Sequence, residues 1–185
     1  MKLNEFQKKL PKGVIETAEE YELALPIDSY DNERDFWNCH GKWIIKHDAC
    51  EMIADKEHIV FKVPVQNMEA SPNVALLIEG IMLDEEKKPI KSEWSFGEAC
   101  ARNTKMGYWW AMAEKRGKDR VILKLINAYE KGIYSETEAD DWNQLAQKKD
   151  RRANETAAKG KEVSTDEKST SATAVPQFND DEIPF

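Results

Sequence analysis

The residues of this chain that could do chemistry on a ligand lie on one face of a predicted helix. At about 100° per residue, a helix that starts near Thr104 places several cations and one indole ring on a single stripe. These residues are Lys105, Trp109, Arg116, Arg120 and Lys124, and Arg102 joins them if the helix reaches back that far. Cations that follow a phosphate backbone, beside a ring that stacks on a base, are what binds single-stranded nucleic acid.

Local ion pairing explains only part of this charge. Seven basic residues and two acidic ones lie between Arg102 and Lys124, in a chain whose net charge is −8. Lys115 and Lys118 each have an acid four positions away, so i,i+4 pairs account for them. Arg120 and Lys124 have no acid three or four positions away. We favour phosphate binding by the stripe, and ion pairs with distant carboxylates remain the alternative.

The aromatic run at the start of this helix has two possible roles. Such rings most often belong to a core or a subunit interface. Tyr108, Trp109 and Trp110 are successive, so they cannot all face one core, and we expect at least one to be exposed. Trp109 is the ring that lies within the basic stripe, which makes it the candidate for base stacking.

The elements that must position the stripe begin with a segment that is hard to assign. Residues 1–40 allow a short helix around Leu3–Leu10, ending before Pro11. Asp48 followed by Glu51 has the spacing of a capping box and predicts a helix over Ala49–Lys56.

Three β-rich segments follow, at residues 58–66, 74–83 and 90–96. In the first, alternation predicts one face made of Ile59, Phe61, Val63 and Val65. Pro64 places that strand at an edge or ends it early, and Gly80 is a possible bulge in the second strand. In the third, one face carries Ile90, Ser92, Trp94 and Phe96. Short turns between these segments favour an antiparallel meander.

The C-terminal half is predicted to be helical and then disordered. The long helix runs from about Thr104 to Lys131, with Gly132 after its end. Ser135 with Glu138 is a second capping box, opening a helix that carries Trp142. The fold class is α+β: short helix, three-stranded antiparallel meander, long basic helix, further C-terminal helix and disordered acidic tail. The predicted domains are an N-terminal segment, an α+β nucleic-acid-binding core, a disordered linker and an acidic tip, at residues 1–40, 41–150, 151–179 and 180–185.

The tip has the chemistry of a docking peptide. It consists of Asp180, Asp181, Glu182, Ile183, Pro184 and Phe185. Phe185 would fill a pocket, its carboxylate would meet an arginine, and the three acids would meet a basic rim. This sequence closely resembles the C-terminal tip of bacterial single-stranded DNA-binding proteins (SSB), Asp-Asp-Asp-Ile-Pro-Phe. The resemblance implies that the tip recruits replication, repair and recombination proteins.

The body resembles a different group of proteins. The run WSFGEACARNTKMGYWWAMAEKRGKDRVILKL, after helix and strands, is similar to the phage single-strand annealing and recombination proteins of the Erf/RecT-like, Rad-type superfamily. The resemblance covers residues 43–134. It implies homo-oligomeric rings or filaments that hold single-stranded DNA in a basic groove without ATP. It also implies that Lys105, Arg116, Arg120 and Lys124 line that groove.

Several other classes of protein are not expected. No apolar run approaches the roughly 20 residues that span a bilayer, and the first residues contain no signal-peptide core. Three cysteines form no disulfide framework, which predicts a cytoplasmic protein. No phosphate-binding loop or catalytic triad motif occurs, so we expect neither catalysis nor a cofactor. A metal site is not expected, because zinc-type knuckles are absent around the four possible ligands, Cys39, His40, His47 and Cys50.

Two functional hypotheses follow. The first is a non-enzymatic single-stranded DNA-binding protein of phage recombination or replication, in the host cytoplasm, which could anneal strands and recruits partners through its tip. The second is an interaction module that binds no DNA and uses the SSB-like tip to occupy host repair and replication enzymes.

Overall fold

A computed structural model describes residues 2–66, 74–101, 103–104, 107–139, 142–143 and 146–149. The chain divides into two units, Met1–Ala146 and Gln147–Phe185, and the second is described only at residues 147–149. The elements are, in order, α1 (Lys12–Tyr21), β1 (Phe36–Cys39), β2 (Lys42–Ile45), α2 (His47–Lys56), β3 (Ile59–Phe61), β4 (Val65–Gln66), β5 (Val74–Leu83), β6 (Pro89–Ala99), α3 (Trp109–Leu125) and β7 (Ile133–Ser135). The α+β class predicted from the sequence is confirmed.

The N-terminal residues belong to the core of the first unit. Only Gln7–Lys9 form a short 3₁₀ helix where a helix over Leu3–Leu10 was predicted. It ends before Pro11, as predicted, and Pro11 is also the N-cap of α1. A proline suits this place because a helix start needs no N–H from it. Val14, Ala18 and Tyr21 recur on one face of α1 and are buried in the main core.

A small three-stranded sheet, in the order β1-β2-β7, was not predicted. β1 and β2 form a hairpin whose two turn residues, His40 and Gly41, both have positive φ. Positive φ at both positions is what the tightest hairpin turns require. β2 then pairs in parallel with β7, which comes about 90 residues later. A parallel partner so distant leaves no local pattern in the sequence.

Helix α2 was predicted correctly, but its predicted cap was wrong. The helix begins at His47, its N-cap is Lys46, and no side chain caps it there. Asp48 therefore lies within the first turn, where its carboxylate still stabilises the helix by interacting with the positive end of the helix dipole. The His47 N–H donates instead to Glu136 Oε2, at 3.3 Å, from beyond β7.

The four-stranded sheet is the predicted antiparallel meander, with its first strand split in two. β3 and β4 both pair with one side of β5, and β6 pairs with the other. Phe61 is opposite Gly80 while Val65 is opposite Leu77, so the first strand holds one extra residue around Pro64. Because side chains alternate faces, this extra residue moves Val65 to the face opposite that of Phe61. The prediction of a single face for that segment is wrong.

Helix α3 packs on the inner face of this sheet and is shorter than predicted. It starts at Trp109 and ends at Leu125, instead of running from about Thr104 to Lys131. Its 17 residues correspond to a length of about 26 Å. Gly97 brings strand and helix together: a Cβ added there would lie 1.8 Å from Ala113 O. Gly80 is no bulge, since it pairs regularly, and an added Cβ would meet the side chain of Val121 at 2.6 Å.

The chain then turns back through β7 into further helical residues. The second predicted capping box is confirmed, because Glu138 Oε2 accepts from the Ser135 N–H at 2.8 Å and from its Oγ at 3.0 Å. Residues 136–139, 142–143 and 146–149 are helical. The predicted linker and tip lie outside the described residues. No helix within the described ranges is both long and apolar enough to cross a membrane.

Candidate nucleic-acid interface

Three cations of the predicted stripe meet one strand of the sheet. They are four residues apart on α3, about 6 Å along the axis, and they donate to carbonyls two residues apart on β6, about 6.8 Å along the strand. The bonds join Arg116 Nη1 to Glu98 O at 2.7 Å, Arg120 Nη1 to Phe96 O at 2.8 Å, and Lys124 Nζ to Trp94 O at 2.7 Å. We call these three cations and three carbonyls the cation ladder.

The cation ladder explains why like charges recur at i,i+4 spacing. Among the described strands β6 pairs only with β5, so the carbonyls on its other side need donors from elsewhere. The helical and extended repeats are nearly equal in length, so one helix face can supply those donors in step. The sequence alone allowed phosphates or distant carboxylates as partners for these cations. Backbone carbonyls are a third kind of partner.

Arg116 has a structural position, and its assignment as a DNA-contacting residue is corrected. The residue is 2% exposed. Its Nη2 donates to Asn103 O at 2.6 Å, and its Nη1 also reaches Thr104 Oγ1 at 3.4 Å. The guanidinium therefore holds the segment after β6 against α3, and it presents no surface to a ligand.

Arg120 and Lys124 keep their charge available. Each is partly exposed, and each contacts a neutral carbonyl. Within the described part of the chain neither is joined to a carboxylate. Lys118 contrasts with them, because its Nζ lies 2.7 Å from Glu114 Oε1, as the i,i+4 spacing predicts. A carbonyl positions a cation but cannot neutralise it, so these two cations remain an attractive site for anions.

Two exposed aromatic rings lie beside these cations. Trp94 is 57% exposed and Phe96 is 39% exposed. Their ring centroids are 5.9 Å apart, with an interplanar angle of 83°. Lys124 Nζ lies 5.5 Å from the centroid of the Trp94 ring. Cations and aromatic rings are therefore interleaved on this surface, as binding of single-stranded nucleic acid requires.

The ring that the sequence predicted for base stacking, that of Trp109, is not one of these two rings. Trp109 is partly buried and packs against the main core, whereas its neighbours Tyr108 and Trp110 are exposed. Arg102 and Lys105 lie outside the described residues. A sequence signal for Trp94 did exist. Small residues, Ser95, Gly97 and Ala99, alternate with the large ones along β6, and small side chains mark the side that a helix approaches closely. That pattern leaves Trp94 and Phe96 on the open face.

A buried polar pair that joins α2 to α3 was also missed. His47 Nδ1 lies 2.5 Å from Asp119 Oδ1, and Asp119 is 1% exposed. The hydrogen bond to Asp119 raises the pKa of His47, while burial raises the pKa of Asp119. Both shifts mean that the pair holds its shared proton more tightly than either group would in water. Lys115, predicted to pair with Asp119, pairs instead with Glu136 at 3.4 Å.

The four possible metal ligands are not brought together. Cys39 Sγ and His40 Nε2 both contact Asn143 Oδ1, at 3.5 Å and 3.0 Å. Cys50 is buried, which raises the pKa of its thiol well above its ordinary value. The Nδ1 atom of His47 is already hydrogen-bonded to Asp119. In the described ranges no group of three or more histidines, cysteines or carboxylates has the geometry to hold a metal ion.

The chain has no match among known proteins that would assign this surface. Comparisons with protein-family models, with curated proteins and with solved structures find none. The resemblances to single-strand annealing proteins and to the SSB tip therefore stay predictions, and the function has to be argued from the geometry of the residues themselves.

Proposed function

We propose that this protein binds single-stranded DNA without catalysing a reaction, and acts in phage DNA recombination or replication. One observation carries the proposal: Arg120 and Lys124 are held beside the exposed rings of Trp94 and Phe96, and no carboxylate among the described residues neutralises them. Phosphates are the anions that such a pair of cations would meet on a strand whose bases reach the rings.

The net charge of −8 limits this binding to a local surface. The rest of the acidic protein repels a polyanion, and that repulsion weakens at a distance of about 8 Å at physiological salt. Two phosphate contacts on a single strand correspond to a slope of about −1.4 for log affinity against log salt. We therefore expect moderate affinity with a clear salt dependence.

The test is fluorescence anisotropy of a labelled oligo-dT, titrated with the protein at 50 mM and 200 mM salt. The test variant is Arg120→Gln/Lys124→Gln, whose amide groups can still donate to the carbonyls of β6. The matched control is Lys115→Gln/Lys118→Gln, which removes two positive charges from the same helix where carboxylates already pair with them.

We expect wild type and the control to bind with similar affinity, and the test variant to bind at least tenfold more weakly with a flatter salt dependence. Equal losses in both variants would show that only total charge matters. No binding by wild type at 50 mM salt would reject the proposal and leave the adaptor hypothesis, in which the tip acts alone.

The finer parts of the proposal concern residues and states beyond this surface. They are strand annealing, homo-oligomer formation, a location in the host cytoplasm, and recruitment of repair and replication proteins by residues 180–185. A pull-down with full-length protein and with protein lacking Phe185 tests the recruitment. Equal recovery of partners by both would remove the role of the tip.

A further inference from the structure

We infer that the outer face of the four-stranded sheet is the platform on which bases of the bound strand stack, with Trp94 and Phe96 as its two rings. This inference rests on the proposed function and deepens it, because it assigns the bases to the face of the sheet that α3 does not cover. The sequence pattern had favoured a different ring for stacking, that of Trp109 at the start of the helix.

The strand registers define which residues share this face. Trp94 lies opposite Glu79 and Phe96 lies opposite Leu77, and Leu77 in turn lies opposite Val65. Next along β5, Ile81 lies opposite Val60 of β3. The face that α3 covers is formed by the alternate residues, such as Ile78 and Gly97. The outer face therefore carries a row of aromatic and aliphatic groups, of which Val60, Val65, Trp94 and Phe96 are exposed.

The charges around this face favour a nucleic-acid strand as its occupant. Arg120 and Lys124 border it on the β6 side. Glu79 lies within it, but its Oε1 is 2.6 Å from Lys62 Nζ, so its charge is compensated. Glu98 is exposed next to Phe96 and would repel phosphates. The phosphates are therefore expected near Lys124 and Trp94, with the bases lying across the sheet.

The ring geometry favours a single strand over a duplex. Bases in a duplex are parallel and about 3.4 Å apart along each strand. The Trp94 and Phe96 rings are 5.9 Å apart and nearly perpendicular. Two neighbouring bases can stack on both rings only if they separate and turn independently, which pairing to a second strand prevents. A duplex of the same sequence should therefore not compete for the site.

The experiment compares two tryptophans that are exposed to a similar degree. Trp94→Ala removes the platform ring, and Trp110→Ala removes the ring in the first turn of α3, which is 52% exposed. Binding of labelled oligo-dT is measured by anisotropy, and circular dichroism checks that each variant is folded. In a second measurement, oligonucleotides carrying 5-iododeoxyuridine are photocrosslinked to the wild-type protein and the attached peptide is mapped.

We expect Trp94→Ala to bind about 5- to 150-fold more weakly, since loss of one stacked base has an effect of that size. Trp110→Ala should stay within twofold of wild type, Trp94→Phe should recover most of the affinity, and the crosslink should map to β6. If wild type binds and Trp94→Ala binds equally well, or the crosslink maps to α3, the platform is rejected while the proposed function stands. If wild type does not bind, both are rejected.

A second copy of the chain is the competing occupant of this face. Light scattering on wild type and Trp94→Ala separates the two cases. An oligomer that dissociates in Trp94→Ala, with unchanged affinity for oligo-dT, would assign the face to self-association and overturn the platform.

Discussion

The two sides of α3 hold similar cations in different ways. On one side, Lys115 forms an ion pair with Glu136, and Lys118 forms one with Glu114. The helix also contributes a carboxylate there, that of Asp119, which pairs with His47. We call this the carboxylate side. On the other side, Arg116, Arg120 and Lys124 donate to the backbone carbonyls of β6. We call this the carbonyl side.

The difference shows that contact and neutralisation are separate properties. A carboxylate near a cation cancels its charge at a distance, so the carboxylate side presents little net field to solvent. A carbonyl fixes the position of a cation while its charge persists. At Arg120 and Lys124 the carbonyl side therefore combines order with a charge that no carboxylate of the described residues compensates, which is why the proposed DNA contact lies there.

The close contact between β6 and α3 at Gly97 supports both sides of the helix, so a substitution there should have the largest effect on stability. Gly97→Ala places a Cβ 1.8 Å from Ala113 O and 2.6 Å from Gly117 N, which are both backbone atoms. Because neither can rotate away, the helix must move off the strand, and we expect a loss of about 3 kcal/mol or more in the free energy of unfolding. Urea denaturation measures it. Gly107→Ala is the control, since its Cβ would meet no atom within 4 Å, and equal stability of both variants would contradict this packing.

Removal of His47 should break the carboxylate side. His47→Ala leaves the buried Asp119 without its imidazole, and Asp119 must then be protonated or remain unpaired. We expect a loss of about 2–3 kcal/mol, at the low end for a broken buried pair because protonation relieves part of it. Glu51→Ala serves as the control, because Glu51 faces the other ring nitrogen from an exposed position. Similar losses in the two variants, measured by thermal or urea denaturation, would show that burial of Asp119 does not matter.

The same pair predicts how stability depends on pH. The pKa of His47 is raised in the folded protein from its ordinary value of 6.5. Its contribution is therefore fully present below about pH 6.5 and is lost as pH rises through the raised pKa. Asp119 acts with the same sign from lower pH, because burial raises its pKa from 3.8.

Urea midpoints at pH 6 and pH 8.5 test this dependence. We expect wild type to lose stability between them, and His47→Gln to lose less, because glutamine does not titrate. Parallel behaviour of the two proteins would mean that His47 keeps an ordinary pKa.

The smallest expected effect concerns the half-exposed ion pair of Lys118 and Glu114 on the carboxylate side. A double-mutant cycle on Lys118 and Glu114 should give a coupling of about 0.3–0.5 kcal/mol at low salt, and almost none in 1 M salt, because salt screens exposed pairs. A coupling that persists in 1 M salt would show that this pair is shielded from solvent, and would weaken the contrast between the two sides.

Local patterns predicted the parts of the fold that depend on neighbours in the chain. The apolar run became β5 with the predicted limits, and the Ser135–Glu138 capping box is formed. The alternation in β6 was correct, and its small residues, Ser95, Gly97 and Ala99, mark the face that α3 covers, a signal that the predicted stripe on the helix left unused. The cap of α2 was mispredicted because the backbone N–H at the start of the helix, that of His47, donates to Glu136, which lies 89 residues away in the chain. The small sheet was missed because β7 reaches β2 only through the tertiary fold.

The sequence by itself determined the α+β class, the limits of β5, and the concentration of cations between residues 102 and 124. It also determined that Arg120 and Lys124 have no acid nearby along the helix. Only the tertiary structure decided that Arg116 is buried, that Trp94 and Phe96 lie beside Arg120 and Lys124, and that His47 meets Asp119. The physical reason is that periodicity and capping act within a few residues. The partner of a side chain depends on the register between elements that packing brings together.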